Sequence, residues 1–314
     1  MPPVGAQPDG YDGHSRTTST SSSQSQDTGN SNNILLAVPK KGRLYERVLK
    51  ILDGAGLDHV RAPRLDIANC TREDVTIVFL PAADIATYVA EGNVDMGITG
   101  EDIIAESQAN VDVLMKLGMG KCKLCFQAPK GTVSDPSELI GKRIVTSFPN
   151  LTKTYFDKID PGHTTSIKYV TGSVEVAPSL GLADAVVDLV ETGTTMRAAG
   201  LENVGEVMRT ETVLIANPHS THHKMIQTIH KRIKGYITAT QHSMITYNCP
   251  KDKIEAASKL TPGHDSPTIT LLHDERFVSI TALVRTKEIP LLMDRLQEIG
   301  AQSIVAIPIS NCRF

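Results

Sequence analysis

From residue 34 onward, short apolar segments alternate with short amphipathic ones, and this alternation constrains the fold more than any other feature of the chain. The segment "NILLAVP" is typical of a fully buried strand, and "RLYERVLKILDGAG" after it places Leu44, Val48 and Ile51 on one helical face. Further strands are predicted at "DVTIVFL", "VDMGITG", "KLCFQAP", "RIVTSFP" and "DAVVDLV". Short strands separated by short helices predict α/β units on mostly parallel sheets, whose ligands bind at the carboxyl ends of the strands.

After about residue 240 the pattern changes. Strands are predicted at "SMITYNCP", "PTITLLHD", "RFVSITALV" and "SIVAIPIS", and helices at "KDKIEAASKL" and "KEIPLLMDRLQEIG". This order is β-α-β-β-α-β, which is that of a ferredoxin-like domain. The segment contains no catalytic constellation, so we expect it to bind a ligand or a subunit rather than to carry out chemistry.

Composition excludes several classes of protein. The chain has 314 residues, a formal charge of -3 and a pI near 6.4, which argues against a general nucleic-acid binder or a protein of acidic membrane surfaces. No apolar run reaches the roughly 18 residues that a membrane span requires. The N-terminus also lacks the order of a secretory signal. We therefore expect a cytoplasmic protein with neither a nucleic-acid nor a membrane partner.

Residues 1–32 are dominated by Ser, Thr, Gln, Asn, Asp and Gly, and we predict that they form a disordered tail. The chain has five cysteines, an odd number, which is typical of reduced thiols rather than of a disulfide framework. Cys122 and Cys125 lie in a predicted strand, where side chains three positions apart point to opposite faces. That spacing favours strand thiols over a zinc or redox pair.

A cluster of cations follows the first strand, in "LAVPKKGRLYERV". Lys40, Lys41 and Arg43 stand with Gly42 at the start of a predicted helix, where the partial positive charge of the helix end makes cations unfavourable. A docked anion would reverse the sign of that cost. The cluster is therefore interpreted as an anion-binding loop, with a solvated basic loop as the alternative.

Two other strand-to-helix turns give weaker signals. "VDMGITGEDII" places Gly97 and Gly100 before a helix that opens with two acids, which is also what a tight turn and a helix dipole require. "TSFPNLTKTYF" carries Ser147 and Asn150, either of which could cap a helix. Only the surrounding loops would make these turns part of a ligand site.

The segment "DAVVDLVETGTT" carries the most specific signal. Asp184 and Asp188 fall on the same side of the predicted strand, and Glu191 and the stretch Thr192–Thr195 follow it directly. Backbone N–H groups and threonine hydroxyls can hold a terminal phosphate, while the acids accept hydrogen bonds from ribose hydroxyls or hold hydrated Mg²⁺. A ribose phosphate fits both halves. The alternative is a helix cap beside solvated acids.

Glu175, in "TGSVEVAPSLGLAD", follows another predicted strand. It is a surface carboxylate in the simplest interpretation. It becomes a partner for Mg²⁺ or ribose if it faces the loop at 184–195.

Several ordered segments together resemble the ATP phosphoribosyltransferase family: "PKKGRL", "EGNVDMGITGED", "GKCKL", "KRIVTSFPNLTKTYF" and "GSVEVAPSLGLADAVVDLVETGTT". The resemblance runs from about residue 34 to the C-terminus, and the "TGTT" loop is similar to the phosphoribosyl-diphosphate loop of phosphoribosyltransferases. The C-terminal unit resembles that of the long, histidine-regulated form, and "FLPAADI" resembles the fungal branch. Phe79 and Pro81 stand where bacterial members tend to carry arginines.

The resemblance implies a two-lobed α/β core, like a periplasmic solute-binding protein, with a C-terminal ferredoxin-like regulatory domain. The implied division is lobe I at 33–102 with 208–240, lobe II at 103–207, and the regulatory domain at 241–314. The implied reaction joins ATP to phosphoribosyl diphosphate with Mg²⁺, inhibited by histidine, in homo-oligomers that are dimers or hexamers.

The resemblance also implies roles for individual residues. Catalytic roles fall to Lys40, Glu175 and Asp188, and the metal ligands would be Glu175 and Asp188. The implied phosphoribosyl-diphosphate site consists of Asp184, Asp188, Glu191, Thr192, Gly193, Thr194 and Thr195. The implied ATP site consists of Lys40, Gly42, Arg43, Arg64, Gly100 and Ser147. No general base is expected, because adenine N1 has a free lone pair, so catalysis would depend on alignment and charge stabilisation.

Three other functions fit parts of the sequence. A solute-capturing binding protein would share two lobes but would normally be exported, and it has no need of three acids beside a phosphate loop. A phosphoribosyltransferase for a free base would share the threonine loop but lack the C-terminal unit. A purely structural protein would leave the polar loops at the strand ends unexplained.

Overall fold

The computed structural model describes residues 33–313, and the predicted tail at 1–32 lies outside them. The first elements are β1 (Ile34–Pro39), α1 (Tyr45–Gly54), β2 (Ile67–Asn69), β3 (Val75–Leu80), α2 (Ile85–Ala90), β4 (Met96–Gly100), α3 (Glu101–Ser107) and β5 (Asp112–Lys116). Next come β6 (Cys122–Pro129), β7 (Arg143–Thr146), α4 (Pro149–Ile159), β8 (Ser166–Tyr169), β9 (Ala185–Val190), α5 (Thr194–Ala198) and β10 (Leu201–Thr210). The chain then continues through β11 (Thr212–Ala216), α6 (His223–Thr240), β12 (His242–Pro250), α7 (Ile254–Leu260), β13 (Thr268–Leu271), β14 (Phe277–Arg285), α8 (Ile289–Glu298) and β15 (Gln302–Pro308).

The first lobe is built on a six-stranded sheet with the order β2-β3-β1-β4-β11-β5. Strand β1 pairs in parallel with both β3 and β4, so the carboxyl ends of these strands meet at one edge. Helices cover both faces, which explains why β1 reads as an uninterrupted apolar run. On one side Leu36 packs with Leu52 of α1, and on the other Ala37 packs with Ile85 of α2.

The second lobe is built on a five-stranded sheet with the order β10-β6-β9-β7-β8. Strand β7 runs parallel to β8 and to β9, so these strands also end at a common edge. The lobe's core includes an aromatic cluster in which Phe126 of β6 lies against Tyr155 and Phe156 of α4, at centroid distances of 4.7 and 5.5 Å. Strand β6 contains Cys122 and Cys125, as the sequence predicts, and Cys125 is buried.

The chain crosses between the two lobes twice, and the crossings differ from the predicted boundaries at 102/103 and 207/208. Strand β5 belongs to the first sheet, so the first lobe continues to Lys116. Strand β10 belongs to the second sheet, so the second lobe continues to Thr210. The reason is pairing: β11 binds β4 on one side and β5 on the other, which keeps β5 in the first sheet.

The C-terminal unit is a four-stranded antiparallel sheet with the order β13-β14-β12-β15, covered on one face by α7 and α8. Strands β12 and β14 alternate strictly between buried and partly exposed residues, as one-sided burial requires. This confirms the predicted β-α-β-β-α-β order and, with the two lobes, the predicted α/β architecture. Within 33–313, no helix combines the length and the apolar character of a membrane span.

Candidate active site

A cleft of about 460 Å³ lies between the two lobes, at the carboxyl ends of their parallel strands. The first lobe contributes Pro39, Arg43, Leu44, Arg47, Ala82, Thr99, Gly100, Asp102 and Ile103, and the second contributes Cys122, Phe148, Leu189 and Glu191. Gly120, Glu211 and Thr212 line it where the chain crosses between the lobes. Its walls are therefore apolar, and its charges are concentrated on a few arginines and acids.

Two residues predicted to bind substrate meet across this cleft. Arg43, in the loop before α1, donates from Nη1 to Oε2 of Glu191, which directly follows β9, over 2.6 Å. The Arg43 side chain is 83% exposed, so the pair closes the cleft from its solvent side rather than from within a core. Gly42, which precedes Arg43, has a φ of 94°, a left-handed conformation that favours glycine and turns the loop into α1.

The loop after β9 gathers the predicted threonines. The hydroxyls of Thr192 and Thr194 lie 3.0 Å apart, and the backbone N–H of Thr194 donates to the Thr192 hydroxyl over 3.4 Å. Gly193 between them has a φ of 72°, and a Cβ there would lie 2.8 Å from the guanidinium of Arg197. Thr192, Thr194 and Thr195 are exposed, so their hydroxyls are accessible to a ligand in this loop.

Asp188 lies half-buried on β9. It is paired with the buried Cys125 of the adjacent strand β6. Burial raises the pKa of the Asp188 carboxyl, the Leu189 backbone N–H opposes that rise, and the negative charge of Glu175 adds to it. Glu175 sits in a short helical turn, Val174–Val176, after β8. The negative charge of Glu175 thus acts on Asp188, and the binding of Mg²⁺ by these two acids stays a prediction.

Asp184 is not brought to this site. It precedes β9, so it lies at the opposite end of the strand from Asp188, about 13 Å away at the rise of an extended chain. Arg143 binds it there: the backbone N–H donates to Oδ2 over 2.9 Å and the guanidinium to Oδ1 over 2.9 Å. The Arg143 hydrogen bonds lower the pKa of Asp184 to about 2. The predicted shared strand face is not formed, because β9 begins at Ala185, after Asp184.

Lys40 and Arg64 do not line the cleft. The Lys40 ammonium lies 3.5 Å from Oδ2 of Asp66, whose other oxygen accepts from Arg61 over 2.8 Å. Arg64 is exposed and has a φ of 67°. Sequence reasoning nominated Arg64 and missed Arg61.

The guanidinium of Arg61 lies 4.0 Å from the ring centroid of Phe79, which is 1% exposed. The guanidinium of Arg61 thus covers one face of the buried Phe79 ring. A cation–π contact cannot be found from sequence, because β2 separates Arg61 from the strand that carries Phe79.

Gly100 and Ser147, the remaining predicted ATP residues, differ in position. Gly100 lines the cleft, and a Cβ on it would lie 2.1 Å from Oδ1 of Asp102. Ser147 does not line it, and its hydroxyl donates to the Val170 carbonyl over 2.7 Å. The hydroxyl of Ser147 therefore ties the ends of β7 and β8 together.

A buried pair joins the lobes beside the cleft and was not found from sequence. Asp102, 6% exposed, accepts from the Thr210 hydroxyl over 2.7 Å, and its backbone N–H donates to the same oxygen over 3.0 Å. Burial raises the pKa of Asp102, and the Thr210 hydrogen bond opposes the rise. The sequence suggested only that Asp102 complements a helix dipole. Its partner is 108 positions away, so no local pattern indicates the contact.

Comparison with known proteins finds two matching family models and several similar sequences. The family model "ATP phosphoribosyltransferase" matches residues 81–235, and the model "HisG, C-terminal domain" matches residues 239–311. An ATP phosphoribosyltransferase of Yarrowia lipolytica is 44% identical over 285 residues, and that of Saccharomyces cerevisiae is 45% identical over 286. Each match covers 89% of this chain and 96% of the relative.

A solved structure resembles the core. It is an ATP phosphoribosyl transferase (HisG:HisZ) complex from Thermotoga maritima, with 28% identity and a TM-score of 0.56. The match covers 64% of this chain and 98% of that chain.

Proposed function

Because the chain belongs to the ATP phosphoribosyltransferase family, we propose that it joins ATP to phosphoribosyl diphosphate, giving phosphoribosyl-ATP and diphosphate. The family catalyses the first step of histidine biosynthesis. The observation that carries the proposed reaction is the contact of Arg43 with Glu191. It sets a cationic loop of one lobe against the acidic, threonine-rich loop of the other, and a substrate with both phosphates and ribose hydroxyls complements that pairing.

The proposed reaction does not require the protein to transfer a proton during the attack. The lone pair of adenine N1 forms a bond to C1 of the ribose, and the bond from C1 to the diphosphate oxygen breaks. The diphosphate leaves with the electron pair of that bond. Since N1 carries no proton, no base is needed for the attack, and the rate depends on alignment and on stabilising the charge that develops.

The second lobe would hold the phosphoribosyl group. Thr192, Thr194 and Thr195 present hydroxyls, and Gly193 gives the loop its left-handed turn, a combination suited to the 5-phosphate. Asp188 would accept from a ribose hydroxyl. Burial removes water from this carboxylate, which is also why its pKa is raised, and suits it to a substrate that excludes water.

Mg²⁺ is the cofactor that fits the acids of the site. Glu175 and Asp188 are two carboxylates without a third protein ligand, and the described residues contain no cluster of three His, Cys, Asp or Glu side chains that could hold a metal by themselves. Mg²⁺ is commonly held by one or two carboxylates together with substrate phosphates and water. When bound, it would neutralise charge on the diphosphate. Glu175 and Asp188 would fix its position relative to the ribose.

The first lobe would hold ATP and stabilise the negative charge of the departing diphosphate. Arg43 reaches into the cleft from the loop that contains Gly42, and Gly100 lines the wall, where the absence of a side chain lets the Asp102 carboxylate lie against the backbone. Lys40 is a more distant cation, since its ammonium lies beside Asp66. Arg64 and Ser147 remain proposals for the outer part of the ATP site.

The C-terminal sheet would be the regulatory part. It carries its own core and has no residue in the cleft, so we propose that it binds histidine, the pathway product, as a feedback inhibitor. Assembly into dimers or hexamers and a cytoplasmic location complete the proposal.

The test is formation of phosphoribosyl-ATP by the purified full-length protein, followed by mass spectrometry. The proposal expects product only when ATP, phosphoribosyl diphosphate and Mg²⁺ are all present, and less product when histidine is added. Product that forms equally well with histidine would support the proposed enzymatic activity but contradict the proposed regulatory role of residues 241–314. Product with a free base in place of ATP would overturn the choice of acceptor.

A further inference from the structure

A second arginine lines the cleft. Arg47 lies in the first turn of α1, four residues after Arg43 of the preceding loop, and both side chains line the cleft. Arg47 is exposed, and the burial of Val48 and Ile51 anchors this helix of ten residues to the first lobe. The cleft thus receives two guanidinium groups from one short stretch of chain.

Within residues 33–313, the other charged residues of the cleft each have a side-chain partner, whereas Arg47 makes no ion pair. Arg43 is paired with Glu191, Glu211 lies 3.4 Å from Lys116, and Asp102 accepts from Thr210. A polyanion that enters the cleft would therefore find the Arg47 guanidinium available without displacing a carboxylate.

The placement of Arg47 is unfavourable for the helix alone. Two cations that line the same cleft repel each other, and cations near a helix N-terminus oppose its dipole. Glu46 is the one acid in the first turn of α1. A bound anion between the two arginines would turn both unfavourable terms into favourable ones.

We infer that Arg47 binds a substrate polyphosphate in the cleft, forming with Arg43 a two-arginine site at the start of α1. The inference rests on the proposed function. The shared chemistry is a chain of phosphates, which belongs either to the triphosphate of ATP or to the diphosphate of the phosphoribosyl donor. Each arginine supplies a planar fork of donors suited to phosphate oxygens.

The test compares the wild-type chain with Arg47→Ala, Arg47→Gln and Arg47→Lys, and with Lys50→Ala as a control. Lys50 is exposed on the same face of α1, one turn further from the cleft, and does not line it. Arg47→Ala and Arg47→Gln are expected to raise the KM of one substrate by about tenfold, with kcat within about twofold. Arg47→Lys is expected to give a smaller rise, and Lys50→Ala no change. The substrate whose KM rises identifies the source of the phosphates.

Inorganic tripolyphosphate provides a readout that does not depend on turnover. Its Kd, measured by calorimetry, is expected to rise by about tenfold in Arg47→Ala and to remain unchanged in Lys50→Ala. Unchanged KM values and an unchanged tripolyphosphate Kd in Arg47→Ala would overturn the role of Arg47. A wild-type protein that binds tripolyphosphate through Arg47 yet forms no phosphoribosyl-ATP would overturn the proposed reaction and keep the polyphosphate site.

Discussion

The guanidinium of Arg43 and the carboxylate of Glu191 are 148 positions apart in sequence and 2.6 Å apart in space. One belongs to the loop before α1 and the other to the loop after β9, so this ion pair joins the two lobes at the mouth of the cleft. An exposed pair of this kind is worth about 0–1 kcal/mol, so a multiply charged phosphate can displace it at little cost.

The two members of the pair are expected to differ when substituted. Arg43→Ala should lower kcat/KM by about 100-fold, because it removes a charged donor from the departing phosphates. Glu191→Gln should lower it by less than about tenfold, because the amide oxygen still accepts from a ribose hydroxyl. Steady-state kinetics with Lys50→Ala as a control would check this, and a larger loss in Glu191→Gln than in Arg43→Ala would contradict it.

Asp188 of β9 and Asp184, which precedes that strand, should separate activity from stability. Asp188→Asn is expected to lower kcat by about 100-fold or more without lowering the melting temperature, because its carboxylate is proposed to accept from a ribose hydroxyl of the substrate. Asp184→Asn is expected to keep kcat within a few-fold and to reduce the free energy of unfolding by about 1 kcal/mol, a figure kept small because the ion pair is partly exposed.

The Asp184 contribution also has a defined pH dependence. Its folded pKa of about 2 lies below the ordinary value of 3.8, so the stabilisation is present above 3.8 and is lost as the pH falls towards 2. Thermal melts between these limits should therefore converge for the wild type and Asp184→Asn. Melting curves that remain separated at the lowest pH would contradict the assignment.

The buried contact between Asp102 and Thr210 should matter for stability. Thr210→Val keeps the shape of the side chain but removes the hydroxyl that donates to the carboxylate, so the free energy of unfolding should fall by about 2–3 kcal/mol. Thr154→Val is the control, because the Thr154 hydroxyl donates to a helix carbonyl at an exposed position. Denaturant titration would measure both, and equal losses in the two variants would refute a special role for the contact.

Burial raises the folded pKa of Asp102 above 3.8, so ionisation of this group costs stability. The cost is absent below 3.8 and appears as the pH rises through the raised folded pKa. Relative to the wild type, Asp102→Asn should therefore gain stability with rising pH over that window. A stability difference that is flat with pH would contradict the raised pKa.

Removal of Mg²⁺ with a chelator should abolish product formation, and added Mg²⁺ should restore it. Glu175→Gln is expected to raise the Mg²⁺ concentration needed for half-maximal rate by about tenfold, because one of two carboxylates is lost. Glu202→Gln is a suitable control, since Glu202 accepts from the Gly131 backbone N–H away from the cleft. An unchanged Mg²⁺ requirement in Glu175→Gln would remove this residue from the metal site.

The local patterns of the sequence predicted much of this structure, because buried strands and amphipathic helices leave periodic signals. Strand β10 was missed because it pairs only with β6 at the sheet edge, and its charged residues, such as Glu206 and Arg209, hide the alternation. Strand β5 was missed because its residues are largely exposed. Both misses displaced the predicted boundaries between the lobes.

The candidate site was predictable only where its parts are contiguous. The loop from Glu191 to Thr195 and the turn at Gly42 and Arg43 each carry a recognisable composition. Contacts between distant segments leave no such trace, which is why Arg61 over Phe79 was not anticipated. The prediction that Asp184 lies beside Asp188 was wrong for a different reason. The two-residue period of a strand predicts which face a side chain occupies, but not at which end of the strand it lies.

The most direct measurement is diphosphate release by the wild type and by Asp188→Asn under identical conditions, with ATP, phosphoribosyl diphosphate and Mg²⁺. The account predicts that the wild type releases diphosphate only when both substrates are present, and that Asp188→Asn does so about 100-fold more slowly. Equal rates in the two proteins would contradict the placement of the ribose at the end of β9. Release by the wild type without ATP would contradict the reaction itself.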